Sequence, residues 1–426
     1  MTDMDNSTLI QRDEYLDVIE NYIDKPIIKV LIGMRRVGKS AIMKLLINKL
    51  LKKNIPASNI IYINKESLEF DEIKNYKDLY RYVINYFKGV KSRKYIFIDE
   101  IQEIAEWEKS VNSFLADNYG DIIISGSNSK LLSSELATLL SGRYIEIPVY
   151  PLTFKEFLQF RSEKTDAETE FKNFLRYGGL PGIHLLPIED DVIFAYLNSI
   201  LNTVLYKDVI IRHKIRDAAI FDKIVKYLFD NIGNVTTAKR IADYFKSQKV
   251  KVSVDTVLNY MSYLETSLII DRVPRYDIKG KKFLEFYDKV FLNDIGLRNG
   301  FIGYREKDIN GLLENIVYKE LQAQGYKVFV GVLNQLEIDF IAEKQNDIKY
   351  IQVCYLLNGK STIEREFGSL EKIQDNYEKI VVSMDKFFPE ERNGIVHKYL
   401  IDFLAQDSHL PHKKKADSGH FNKNVT

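Results

Sequence analysis

One run of eight residues constrains this chain more than any other: Gly33-Met34-Arg35-Arg36-Val37-Gly38-Lys39-Ser40 fits GxxxxGK[ST] without exception. An apolar strand (IIKVLI) leads into it, and a helix carrying Ile42, Leu45 and Leu46 leads out. Two glycines in such a turn let consecutive backbone N–H groups face an anion at a helix N-terminus. Lys39 then places a point charge at the β/γ-phosphates of a nucleotide, and the Ser40 hydroxyl is a Mg²⁺ ligand. The nucleotide-binding positions are therefore Gly33, Arg35, Arg36, Val37, Gly38, Lys39, Ser40 and Ala41. Arg35 and Arg36 line the mouth of the loop or face a partner; spacing does not choose.

A second motif supports the first. Tyr95-Ile96-Phe97-Ile98 is a short apolar run that ends in Asp99-Glu100, one strand-helix unit beyond the loop. A carboxylate at the end of a buried strand beside the phosphate-loop strand reaches the metal shell, which assigns Asp99 to Mg²⁺. Glu100, one residue on, is placed to polarise the attacking water as general base. On its own a hydrophobic run ending in Asp-Glu is merely a strand meeting solvent; the spacing from the loop makes it informative. Ile122-Ile123-Ile124 ends in Ser125-Gly126-Ser127-Asn128, so Ser127 or Asn128 is a candidate contact to γ-phosphate or water, or else caps a helix. Arg143, in Ser141-Gly142-Arg143, is a candidate for transition-state charge in cis or from a neighbouring subunit, or an exposed strand-start residue.

Charge and composition narrow the classes. The 61 basic and 60 acidic side chains nearly cancel, which excludes a polybasic DNA-coating protein and an acidic disordered one. A single cysteine, Cys354, excludes an internal disulfide framework and a Cys-built zinc site. No secretory signal opens the chain, and no apolar run approaches the roughly 20 residues of a membrane-spanning helix. The expectation is a soluble cytoplasmic protein without membrane contact.

Beyond a short helix in 11–24, apolar runs alternate with helical stretches to about residue 152, the pattern of a parallel sheet covered on both faces. Residues 153–217 read as helical, broken by Tyr177-Gly178-Gly179-Leu180-Pro181-Gly182. Three helical stretches and two strands fill 218–298, a winged helix-turn-helix order. Residues 299–404 form an α/β module of their own, and 405–426 are polar without periodicity, as is the extreme amino terminus.

The stretches GMRRVGKS, YIFIDEIQEIAEW, IISGSNSKLLS, LSGRYIEIPVYPLTFKEF, YGGLPG, LYKDVIIRHKI and GLLENIVYKEL carry a resemblance across residues 10–400. The chain resembles a widespread bacterial and archaeal family of AAA+-type (ASCE-class) P-loop ATPases. Its members join the nucleotide-binding core to a winged-helix region and a domain related to PD-(D/E)xK nucleases. The resemblance implies an α/β core in 1–152 with the ASCE strand order, a helical connection in 153–217, a winged helix in 218–298 and a nuclease-like α/β domain in 299–404. It also implies ATP and Mg²⁺ as ligands, Glu100 acting on water, Ser127 or Asn128 as sensor, and Arg143 as a nucleotide-linked arginine.

In the nuclease pattern a helix Glu, a strand Asp and a Glu-x-Lys pair hold Mg²⁺ and orient water. Glu314 and Asp339 match the first two, but Gln352 stands at the Glu position and Cys354 at the Lys position, on one strand face. A neutral amide is a poor Mg²⁺ ligand and a thiol supplies no fixed positive charge, so the domain reads as inactive. The other reading has Lys349 or Lys360 standing in. The candidate recognition helix of the winged region (253–267) has no Lys or Arg, which argues against base readout. Lys239, Arg240, Lys246, Lys249 and Lys251, with Arg272, Arg275, Lys279, Lys281 and Lys282, either contact a DNA backbone without sequence preference or form a solvated basic face. The expected function is a MgATP-dependent regulatory switch that moves its terminal domains and recruits a partner, whether a protein, a second copy of itself or DNA. The alternatives are a DNA-acting ATPase or nuclease-linked enzyme, and an ATP-holding scaffold without useful turnover.

Overall fold

The computed structural model describes residues 9–127, 140, 142–161 and 165–405. Helix α1 (Asp13–Glu20) precedes β1 (Ile28–Ile32), α2 (Lys39–Lys52), β2 (Ile60–Asn64), α3 (Tyr76–Tyr86), β3 (Tyr95–Asp99), α4 (Trp107–Ala116), β4 (Asp121–Gly126) and β5 (Tyr144–Pro148). The five strands pair in parallel in the order β2-β3-β4-β1-β5. Alternate residues feed two cores. Leu31, Phe97 and Ile123 pack with Leu45 and Leu46 of α2, while Val30, Ile98 and Ile124 pack with Val83 of α3 and Phe114 of α4. Every residue of β1, β3 and β4 is buried, as a sheet covered on both faces requires. One expectation is corrected: the Asp99 strand does not lie beside the phosphate-loop strand. The wholly apolar Ile122–Ile124 run of β4 takes the position between them.

The helical segments that follow among the described residues are α5 (Phe154–Phe160), α6 (Ala167–Tyr177), a 3-10 turn (Pro181–Leu185), α7 (Asp190–Thr203) and a π-helical segment, Val204–Ile211, that continues α7. Thr153 and Glu156 close a capping box at the start of α5. The remaining elements are α8 (Ala218–Asp230), β6 (Val235–Thr236), α9 (Ala238–Ser247), α10 (Val254–Thr266), β7 (Ile270–Asp277), β8 (Lys282–Leu292), α11 (Ile295–Ile302), α12 (Ile309–Ala323), β9 (Lys327–Leu333), β10 (Leu336–Lys344), β11 (Asp347–Cys354), α13 (Lys360–Glu371), β12 (Glu378–Ser383), β13 (Glu391–Arg392), β14 (Ile395–Tyr399) and α14 (Leu400–Ala405).

The sequence suggests a boundary near 298, yet the backbone runs one sheet across it. The order is β13-β14-β12-β11-β10-β9-β7-β8-β6, with β7 pairing in parallel with β9. An unpaired edge on each block is satisfied by the other. Asp294 makes the second joint. It caps α11, accepts the Gly179 N–H at 2.7 Å, and lies so close to Gly178 (φ 75°) that a Cβ there would sit 2.4 Å from its Oδ1. The paired glycines of YGGLPG are thus required by a close approach.

His184 follows that loop, its ring 4.6 Å from Phe157 and 5.6 Å from Phe160, with neither nitrogen hydrogen-bonded. Burial, helped by Arg161, pushes its pKa down to about 4. The unfolded chain therefore takes up this proton first, and stability falls as pH drops from about 6.5 towards 4. His184→Leu is expected to flatten that slope in urea unfolding at a series of pH values; an unchanged slope would place the acid lability elsewhere.

No helix among the described residues is long and apolar enough to cross a membrane. Residues 1–8 and 406–426 lie outside the described residues.

Candidate phosphate-binding site

The loop between β1 and α2 folds as its glycines demand. A Cβ on Gly33 would stand 2.2 Å from the Val149 carbonyl oxygen, and Gly38 has φ 100°. Gly38 caps α2 without a side-chain bond, so the first-turn N–H groups point into the turn. Lys39 is buried; its Nζ donates to the carbonyls of Gly33 (2.9 Å) and Met34 (3.1 Å) and lies 3.5 Å from Glu100 Oε1. Burial lowers the lysine pKa, opposed by the charges of Glu100 and Asp99.

Asp99 and Glu100 arrive at the end of β3. Ser125 Oγ donates to Asp99 Oδ1, and the Tyr62 hydroxyl donates to Oδ2 at 2.9 Å. Tyr62 also lies close enough to Ser40 for the two hydroxyls to interact, so one phenol stands between both proposed metal ligands. A hydroxyl and a carboxylate so juxtaposed fit a hard divalent cation. Glu100 adopts a left-handed backbone (φ 54°, ψ 52°), uncommon for a residue with a side chain and typical of strained functional positions. Its Oε2 accepts from Ser127 Oγ (2.8 Å) and Gln102 Nε2 (2.5 Å). Burial would raise its pKa, but the Lys39 charge and these two hydrogen bonds hold the carboxylate below its ordinary range. Glu100 is thus ionised near neutrality, as a general base must be.

Of the candidates, Lys39, Asp99, Glu100 and Ser127 converge, with Ser40 joined through Tyr62. Asn128 lies outside the described residues. Arg143 is corrected as a residue acting in cis. It is exposed, and its carbonyl accepts the Ile28 N–H at the N-terminal end of β1, whereas the loop leaves the C-terminal end. A five-residue strand, about 15 Å, separates the two ends.

Two residues escape sequence reasoning. Arg12, before α1, grips Glu156 with Nε (2.7 Å) and Nη2 (2.8 Å) and donates Nη1 to the Val37 carbonyl at 2.9 Å, bracing the loop from behind. Asp208, in the π-helical segment, takes a bidentate grip from Arg35 (2.7 and 3.2 Å), whose Nη1 also meets Glu66 at 3.1 Å. The charge of Arg35 is felt by both Lys39 and Glu100. The only sequence clues are that Glu156 lies in PLTFKEF and Asp208 in LYKDVIIRHKI.

Among the carboxy-terminal candidates, Glu314, Asp339 and Gln352 gather in one place. The Asp339 N–H donates to Gln352 Oε1 at 2.7 Å. Cys354 packs in the core with Phe367 and Leu370, and burial pushes its thiol up to about 12. Lys349 pairs with Glu378 at 3.0 Å and Lys360 starts α13 in solvent, so neither is seen to stand in among the acids. Among the described residues, no three His, Cys, Asp or Glu side chains are placed to hold a metal ion.

A parallel sheet in this order, with a GxxxxGKS loop after β1 and an acidic pair after β3, defines a P-loop core of the AAA type. Residues 25–158 match the family model described as an AAA domain, and residues 168–308 match a domain of unknown function (DUF8612). An uncharacterized protein of Haemophilus influenzae is 35% identical over 406 residues, covering 94% of this chain and 100% of that one. Uncharacterized protein MJ1544 of Methanocaldococcus jannaschii is 32% identical over 383 residues, covering 85% of this chain and 81% of that one. The chain belongs to the family of these bacterial and archaeal proteins. Among solved structures, the Walker-type ATPase PABY2304 of Pyrococcus abyssi is similar with a TM-score of 0.49 at 14% identity, covering 69% of this chain and 95% of that one.

Proposed function

We propose that the chain binds MgATP at the loop around Gly38 and hydrolyses it by in-line attack of water. The observation that carries this reading is the convergence of Lys39, Asp99, Glu100 and Ser127 at one sheet edge. Lys39 and the loop amides bind the phosphates, and Ser40 and Asp99 would hold Mg²⁺, which would supply positive charge against that of the phosphates. Glu100 accepts the proton of the attacking water, with Ser127 orienting its carboxylate. Arg143, exposed at the opposite sheet edge, reaches a nucleotide only on a neighbouring copy.

The Arg35–Asp208 grip supports a coupling role. Arg35 belongs to the loop and Asp208 to the segment that leads into the later helices. Phosphate oxygens compete with Asp208 for the same guanidinium, so filling the site weakens the tie between core and helical arm. We read α8-β6-α9-α10-β7-β8 as a winged helix and the block beyond it as nuclease-like without nuclease chemistry. The exposure of Lys239, Arg240, Lys246, Lys249 and Lys251 favours backbone contact with DNA as a second reading.

Equilibrium binding of a fluorescent ATP analogue and steady-state phosphate release test the proposal. The wild type is expected to bind and hydrolyse ATP with Mg²⁺, and Lys39→Ala to lose binding. Asp208→Ala, which frees Arg35, is expected to tighten nucleotide binding several-fold. A wild type that binds no nucleotide would end this reading. Turnover raised by duplex DNA and falling with salt would establish the second.

A further inference from the structure

The terminal sheet gathers three carboxylates around one ammonium. Glu314 comes from α12, Glu337 and Asp339 from β10, and Lys289 from β8, on the other side of the expected 298 boundary. Lys289 is 3% exposed, and its Nζ lies 2.9 Å from Glu314, 2.9 Å from Glu337 and 3.3 Å from Asp339. The turn after α8 closes over the pocket: a Cβ on Gly233 would come within 3.1 Å of Glu314 Oε2.

A nuclease-like fold implies Mg²⁺ between the helix Glu, the strand Asp and the next strand's acid. These residues do not fit it. Gln352 has spent both ends of its amide: Oε1 accepts the Asp339 N–H, and Nε2 donates to Ser369 Oγ (2.9 Å) and the Glu337 carbonyl (3.3 Å). Asp339 Oδ2 accepts the Val353 N–H at 2.9 Å, while Oδ1 faces Lys289. What remains is a pocket whose acids already share a positive charge.

We propose that Lys289 is the resident cation of this pocket, standing in place of a divalent metal and pinning β8 to α12 and β10 as a latch between the two blocks. Three facing carboxylates repel one another and are tolerated in a partly buried pocket only with a counter-charge. An ammonium supplied by the chain gives that charge permanently, whatever the metal supply. It also reinforces the β7–β9 pairing, since β8 is held independently of backbone hydrogen bonds. The latch stands whether or not the loop binds ATP, and its test uses no nucleotide.

The test is unfolding of the full chain, with EDTA or with millimolar Mg²⁺ or Mn²⁺, together with Mn²⁺ binding followed by electron paramagnetic resonance. The wild type is expected to keep the same midpoint with and without the metals and to bind no Mn²⁺ through Asp339. Lys289→Met in EDTA is expected to unfold roughly 5–10 °C lower, and divalent ions are expected to restore much of that loss. Mn²⁺ bound to the wild type and lost in Asp339→Asn would overturn the proposal. So would a Lys289→Met chain as stable as the wild type and indifferent to metal. If Lys289→Met fails to fold, combining it with Glu314→Gln and Glu337→Gln decides: recovery of folding supports the latch, and continued failure overturns it, because charge is then not what the lysine supplies.

Discussion

Glu100→Gln is expected to bind nucleotide about as the wild type does and to release phosphate about 10²–10⁴-fold more slowly. The amide has the shape of the carboxylate and retains an oxygen to accept from Ser127 and Gln102, which meet Glu100 at 2.8 and 2.5 Å. What it loses is basicity. Lys39, 3.5 Å away, keeps Glu100 ionised without neutralising it, and glutamine takes no proton from water. The left-handed backbone of Glu100 sharpens the expectation, because a side chain at φ 54° is held there against a local cost of roughly 1–3 kcal/mol. Glycine at this position is expected to be more stable and equally inactive, which separates the strain from the chemistry. Binding of a labelled analogue and phosphate release, measured on the same preparations, decide the matter. If wild-type turnover equals that of Glu100→Gln, the chain holds ATP as a scaffold and the hydrolytic reading falls.

The parts of this site legible in sequence are those whose chemistry is local. Gly33, Gly38, Lys39 and Ser40 lie within one turn, and Asp99-Glu100 marks the end of an apolar run, so spacing carries them. Ion pairs between distant segments carry no such mark. Arg12 meets Glu156 across 144 residues and Arg35 meets Asp208 across 173; Arg12 reads in sequence as an ordinary surface charge, and the place of Arg35 in the loop does not reveal its partner. Lys289 is subtler still. In FYDKVFL it looks like the polar member of an alternating strand, and only the sheet order β10-β9-β7-β8 with α12 packed on it brings the lysine to Glu314. Arg143 reads two ways in sequence, as a nucleotide-linked arginine or as an exposed strand-start residue. Its place after a glycine and before a strand suggests the nucleotide, but strand direction puts it at the wrong end of the sheet. The pairing of β7 with β9 across 298 escapes the sequence for a related reason: hydrophobic patterning identifies strands but not which edges meet.

Lys29→Met is expected to cost about 3–5 kcal/mol of stability, among the largest single effects in this fold. Lys29 is the second residue of β1 and pairs with Asp121, the first residue of β4; both side chains are 0% exposed. Burial pulls the lysine pKa down and pushes the aspartate up, each opposed by the charge of the other. Removing the ammonium leaves a buried carboxylate at the start of β4 whose remaining hydrogen bond, among the described residues, comes from the Asp24 N–H at 2.9 Å. Lys29→Met/Asp121→Leu is expected to recover part of the loss by replacing the pair with apolar volume, and not all of it, because the Asp24 N–H then has no acceptor. The lone Asp121 of the single variant is most costly when ionised, so its deficit is expected to shrink as pH falls and the carboxyl protonates. Urea unfolding of the three proteins at neutral and mildly acidic pH reads all of this directly. Because Lys29 lies near the strand end away from the loop, folded Lys29→Met is expected to bind nucleotide normally. A deficit below about 1 kcal/mol would mean that the strand carrying the phosphate loop is held by its apolar neighbours alone.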